Sequence, residues 1–415
     1  MQGEVYPAYC YGIIGLQFFN TDRTEITPGS DVVAEDLDKQ WLLCRRRHKH
    51  TCRDLMLPYY RDSRGLANAS EVLSVKSKSG YYYRNSDYLS AITMTTTTDN
   101  WRPTATRTML EQRAGLLARI REFMARRSIL EVETPVLNPA ANPDPNIASL
   151  ATMVSLPFGA EPNRYYLHTS PEFAMKRLLA AGSGPIYQIT RVFRDQEAGR
   201  IHQPEFTMLE WYRPGFDHQA LMDEMTVLLT ELRLTECMRL PYAMVFEDHT
   251  SLNPHTCSLQ ELQERAHMLG LQSPTADRSL LLDVIFSHAV APNLGLAQPL
   301  FIYDYPVCQA ALARIRQADI AVAERFELFI GGMEIANGYH ELRDDTEQAQ
   351  RFAQENAVRK QRGLTLMPVD DLLLAALRYG LPDCAGVALG LDRLLMTLTG
   401  SQELKDVLAF PVAQD

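Results

Sequence analysis

The chain has 415 residues, 46% of them hydrophobic and 22% charged, an ordinary globular composition that excludes a fibrous or fully disordered chain. No window approaches about 18 consecutive apolar residues, so no membrane-spanning helix is expected, and the first residues lack the basic start and apolar core of a secretory signal. The formal charge of −10 is uneven: residues 1–93 hold 12 Lys and Arg against 11 Asp and Glu, and the remainder carries −11, too acidic for a general nucleic-acid binder although a local basic patch is compatible with it.

Length alone suggests two to three domains. Seven cysteines at irregular spacing do not form a disulfide framework, and a reducing cytoplasm is the expected location. Residues 1–93 show no sustained period. They hold the basic run Arg45–Lys49 and a Tyr81-Tyr82-Tyr83 cluster. Cys44, His48, His50 and Cys52 match no standard spacing of paired zinc ligands, and the surrounding basic charge repels a cation. This stretch is expected to be an N-terminal extension, either disordered or upstream of a functional start near Met94.

From Leu110 onward the pattern is committed. Leu110, Leu117, Ile120, Phe123 and Met124 carry the spacing of an amphipathic helix. A short strand follows at 129–133 and stops at Pro135, which cannot donate to a ladder. Ser170, Pro171 and Glu172 predict a helix start with Ser as the cap, Pro in the first position and an acid in the positive first turn. Gly182 and Gly184 close that helix. Residues 216–290 read as helical, strands return at 300–305 and 324–337, and a strand-to-helix unit spans 385–399.

Three segments carry candidate chemistry. The strand Ile186–Phe193 delivers Arg194 to a charged loop with Asp195, Gln196 and Glu197, and the return strand starts after Gln203; a planar guanidinium suits a phosphate, whereas the bland alternative is a surface hairpin with an ordinary arginine. In the second segment Gly331-Gly332 forms a two-residue hairpin turn. Counting from it places Glu327 and Glu334 on one face, about 7–8 Å apart at Cα; there they either bind Mg²⁺ or are simply solvated. A bulge is expected at Asn337-Gly338, which leaves the face of Glu341 open. In the third segment Gly390 precedes a helix whose first turn carries Arg393, a combination suited to phosphate or to plain helix packing; it is neither a P-loop nor a dinucleotide fingerprint.

In their order these segments resemble motifs 1, 2 and 3 of the class II aminoacyl-tRNA synthetases. Thr169–Glu172, Pro204–Glu210 and Glu334–Leu342 narrow the resemblance to the lysine subclass, over about residues 105–413. No succession of five alternating strands in residues 1–93 supplies the anticodon-reading barrel of a lysyl-tRNA synthetase. The chain therefore resembles most the elongation factor P lysine ligases, the truncated branch of that subclass. Ala388, where lysyl-tRNA synthetases typically have glycine, points the same way.

The resemblance implies an α+β fold, an antiparallel sheet flanked by helices, with 94–415 as the catalytic domain and 216–290 as a helical insertion. It implies activation of lysine or β-lysine with ATP and Mg²⁺, then transfer to a lysine of elongation factor P; charging of tRNA is the alternative, with tRNA binding not expected. Arg194 would meet the α-phosphate and Arg393 the γ-phosphate. Asp195, Gln196, Glu197, Gln203, Glu334, Ile335 and Gly390 would complete the ATP site, with either Gln196 or Glu197 at the adenine. Glu327 and Glu334 would hold Mg²⁺. Ser170, Pro171, Glu172 and Ala388 would bind the amino acid, and Glu210, Tyr212 and Glu341 would enclose its distal ammonium. A homodimer built on motif 1 is implied as well, and Arg126, Arg127, Arg177 and Arg200 are expected to form a basic patch for the acidic protein acceptor.

Overall fold

A computed structural model describes residues 101–155, 163–271 and 276–412, all within one compact unit, Thr98–Asp415. The expectations for residues 1–93 lie outside the described residues.

The first helix, α1 (Arg107–Arg126), is capped by Thr106, whose hydroxyl accepts from Met109 N at 3.2 Å, so the helix begins three residues before the apolar pattern does. Short strands follow: β1 (Leu130–Glu131), β2 (Leu137–Asn138), β3 (Ala151–Val154) and β4 (Asn163–Leu167), the last three forming a small sheet in the order β2-β4-β3. Helix α2 spans Glu172–Ala180. Pro171 is its cap residue, one place later than the expected Ser170. Ser170 still serves the end, its Oγ accepting from Glu172 N at 3.0 Å.

The long strands are β5 (Ile186–Phe193) and β6 (Glu205–Pro214), followed by α3 (His218–Glu231), β7 (Met238–Pro241), α4 (Tyr242–Thr250), α5 (Leu259–Met268) and α6 (Arg278–Ile285). Then come β8 (Leu300–Pro306), β9 (Ile315–Arg316), β10 (Val322–Ile330), β11 (Met333–His340), α7 (Asp345–Gln361), α8 (Asp371–Gly380), β12 (Cys384–Gly390) and α9 (Leu391–Thr399). Aspartates cap α3, α6, α7 and α8, and α5 begins with a Ser258–Glu261 capping box, so local chemistry sets where most of these helices start.

The main sheet runs β1-β5-β6-β12-β11-β10-β8-β7, with β9 paired to β10. Its centre is antiparallel; β1–β5 and β7–β8 are parallel. The fold is therefore α+β with a mixed sheet rather than a wholly antiparallel one. Within 216–290, α3 buries Leu221, Met225 and Leu229 against Trp211 of the central sheet, whereas α4, α5 and α6 share a second core with Phe329 and Ile302. β7 joins the sheet edge, so this segment is not purely helical.

Strand period two decides which side chains face the site. In β6, Leu209 and Trp211 are buried under α1, α3 and α9; in β12, Ala385, Val387 and Leu389 do the same. The alternate residues, Met208, Glu210 and Tyr212 with Gly386, Ala388 and Gly390, line a cleft on the opposite face.

The hairpin sharpens this division. Gly331 and Gly332 have φ of +59° and +77°, the left-handed backbone that a primed two-residue turn requires. Ile330 pairs with Met333 and Phe329 with Glu334, as counted from sequence, but Leu328 pairs with Ala336. The bulge thus falls at Ile335 and not at Asn337-Gly338. It turns both Ile335 and Ala336 into the core and leaves Glu334, Asn337, Tyr339 and Glu341 all on the cleft, which fixes the face of Glu341.

Candidate active site

The cleft holds about 360 Å³ and lies on β6, β12, β11 and β10, closed by the loop before β3 and by the β5–β6 turn. Of the expected residues, Ser170, Glu172, Arg194, Glu197, Gln203, Glu210, Tyr212, Glu327, Glu334, Ile335, Glu341, Ala388, Gly390 and Arg393 line it. Asp195, Gln196 and Pro171 do not. The chain turns left-handed at Gln196 (φ +66°), Asp195 accepts from Gln196 N at 2.9 Å, and both are exposed. Glu197, not Gln196, is the acidic-loop residue on the wall. Pro171 lines a small cavity that adjoins the cleft at Ser170 and Glu172.

One end of the cleft is a buried carboxylate group. Glu172, Glu210 and Glu341 are all under 10% exposed. Glu210 accepts from Ser170 Oγ and from Tyr212 Oη, each at 2.7 Å. Burial, with Glu172 beside it, pushes Glu210 up to about 8, and burial pushes Glu341 up to about 7 against the pull of Lys176. Lys176 is the residue that sequence reasoning missed. Its Nζ lies 2.7 Å from Glu172 Oε1 and 2.6 Å from Glu341 Oε2. Its ammonium thus bridges Glu172 and Glu341, and Glu341 Oε1 has no other donor among the described residues. Three carboxyl groups cluster around one ammonium that contacts two of them. Its signal was present: Lys176 follows Glu172 by four residues, the same face of a helix.

Shape supports this end as well. A Cβ on Gly386 would sit 2.2 Å from the Tyr212 ring and 2.6 Å from Glu341 Oε1, so only glycine lets the tyrosine and carboxylate meet over β12.

The other end carries the arginines. Arg194 lies 5.2 Å above the Phe206 ring and 3.7 Å from Glu197. Arg393 is held by the carbonyls of Ile201 (3.1 Å) and Glu334 (2.8 Å). Behind it, Asp392 accepts from Arg113 at 2.6 Å and from Thr207 N at 2.7 Å, which fixes the start of α9. Ile335 packs into the core and also lines the cleft. Between the two ends, Arg325 donates to Glu327 and to the Gln309 carbonyl and lies 4.6 Å over the Tyr305 ring. Burial and the neighbouring Glu334 push Glu327 up, against the pull of Arg325.

The family model for class II tRNA synthetases (D, K and N) matches residues 92–414. Elongation factor P–(R)-β-lysine ligase of Vibrio cholerae serotype O1 is 49% identical over 319 residues, 76% of this chain and 98% of that protein. The protein of the same name from Yersinia enterocolitica is 47% identical, with 76% and 99% covered, and that of Pseudoalteromonas translucida 48%, with 76% and 98% covered. The chain belongs to this ligase family of class II synthetases. The resemblance read from the sequence is therefore borne out, and so is the α+β fold class. Among the described residues no helix is long and apolar enough to cross a membrane.

Ligase membership leaves the expected arginine patch to be judged on geometry. Arg126 pairs with Glu122 and Glu231. Arg127 covers the Phe123 ring at 3.6 Å, with Glu224 at 3.8 Å and Glu231 at 3.9 Å, and Arg200 donates to the Gln402 carbonyl. Arg126 and Arg127 thus lie beside carboxylates of their own surface.

Proposed function

We propose that the chain activates lysine, as (R)-β-lysine, with ATP and transfers it to a lysine ε-amine of elongation factor P. The observation that carries this reading is the cation-short group of Glu172, Glu210 and Glu341 at one end of a cleft whose other end presents Arg194 and Arg393. Buried carboxylates with one ammonium among three favour a substrate bringing further positive charge and reject neutral analogues, which would leave them unpaired.

In this reading Glu172 pairs with the ammonium nearer the carboxylate, and Glu210, Tyr212 and Glu341 take the distal one. Ser170 holds Glu210 in place, and Ala388 narrows the floor. Arg194 meets the α-phosphate and offsets charge developing as the lysine carboxylate attacks; Arg393 holds the γ-phosphate. Gln203, Glu197, the Ile335 backbone and Gly390 surround the adenosine. Glu327 and Glu334 fit a divalent cation, since two carboxylates on one wall remain short of positive charge even with Arg325 on Glu327; Mg²⁺ there supplies charge neutralisation on the ATP phosphates. Residues 94–415 act as the catalytic domain, with 1–93 an appendage. The exposed Leu130 and Leu137 (58% and 42%) beside α1 suit a homodimer contact, and a cytoplasmic location fits the substrates.

Amino-acid-dependent ATP–pyrophosphate exchange tests the activation half. Lysine or β-lysine should support exchange and norleucine, which lacks the distal charge, should not. Equal exchange with norleucine would overturn the assignment.

A further inference from the structure

A second cleft, about 980 Å³, opens between α6, α7 and the turn at 307–311. It shares Asp144, Ala311, Arg325 and Glu355 with the first, so the two adjoin along one wall. Glu355, on α7, stands on that wall. Its Oε2 is buried and accepts no hydrogen bond among the described residues. Burial first, then Asp144, pushes its carboxyl up to about 8; Glu172 adds to the rise, and Arg351 and Arg359 oppose it. Neither adenylate formation nor lysine binding, as described above, uses this group.

Resting on the functional reading above, we infer that the acceptor lysine enters through the second cleft and that Glu355 is the base that takes its proton. The chemistry requires such a group. A lysine ε-amine is protonated at neutral pH and has no lone pair for attack. An ordinary carboxylate is weaker than that amine by about 6 pKa units, whereas one raised to the level of Glu355 closes most of the gap. The ammonium gives one proton to the Glu355 carboxylate, and the freed nitrogen pair attacks the acyl carbon. The C–O bond to the phosphate breaks, AMP leaves with that electron pair, and the second nitrogen proton passes to water as the amide forms.

Glu355→Gln keeps the shape and removes the basicity. Lysine-dependent pyrophosphate exchange should stay within about twofold, transfer to elongation factor P should fall about 10²–10³-fold, and Glu355→Asp should restore part of it. Trapping of the adenylate with hydroxylamine, which is unprotonated at neutral pH, should be unchanged in Glu355→Gln. Unimpaired protein transfer in that variant would overturn the inference, as would a parallel fall in hydroxamate formation, which would make Glu355 a positioning residue for the adenylate. Loss of lysine-dependent exchange in the unaltered chain would overturn the functional reading, and the inference with it.

Discussion

The two ends of the cleft are built differently. At the carboxylate end the charged groups are buried and tied to one another: Lys176 holds Glu172 and Glu341, and Ser170 and Tyr212 hold Glu210. At the arginine end Arg194 and Arg393 are anchored through a ring face and backbone carbonyls, with their guanidinium groups part-exposed. A preformed, dry receptor discriminates between small ammonium compounds, whereas a solvated arginine pair neutralises phosphate charge with less demand on its surroundings. The difference predicts that substitutions at the first end change which amino acid is used, and those at the second change rate with any amino acid.

The largest effect is expected for Glu341→Gln, which should lower lysine-dependent exchange on the order of 10⁴-fold and narrow the gap between lysine and norleucine. Next comes Lys176→Met. Removing the ammonium leaves the buried Glu172 and Glu341 without their cation, and a denaturant titration should show a loss of about 3–5 kcal/mol. Unchanged stability would mean that Lys176 is dispensable to this end. Arg194→Ala should cost about 10²–10³-fold in exchange rate with lysine affinity nearly unchanged; a large loss of lysine affinity would erase the contrast between the ends.

The smallest effect concerns pH. The carboxyls of Glu210 and Glu341 are raised toward about 8 and about 7, so both are partly protonated at neutral pH, and a bound ammonium requires them ionised. Lysine affinity measured by calorimetry should rise from pH 6 to 8, with protons released on binding. ATP affinity should change little over that range. Proton uptake on lysine binding would contradict the account of this end.

The placement of the arginine end on the cleft was legible because its groups sit at strand and helix ends in a fixed order: Arg194 after β5, Arg393 in the first turn of α9. The hairpin register was legible too, since Gly331-Gly332 admits one tight turn. What escaped depends on contacts across the fold. The bulge at Ile335 has no local glycine or polar signal, so it was placed at Asn337-Gly338 instead. Arg325 pairs within β10 yet is half-buried because Tyr305 of β8 and Tyr339 of β11 flank it. Glu355 reads as one acid on a helix exposed along much of its length until α7 is docked beside the cleft. The Arg113–Asp392 pair spans 279 positions, beyond any pattern count.

The most direct test offers one enzyme both acceptors. With ATP and labelled (R)-β-lysine, elongation factor P and lysine-specific tRNA would be supplied together at equal concentration, and the label followed into each. The account predicts label on the protein, stable to mild base as an amide is. Label on tRNA, with the protein unmodified, would contradict it.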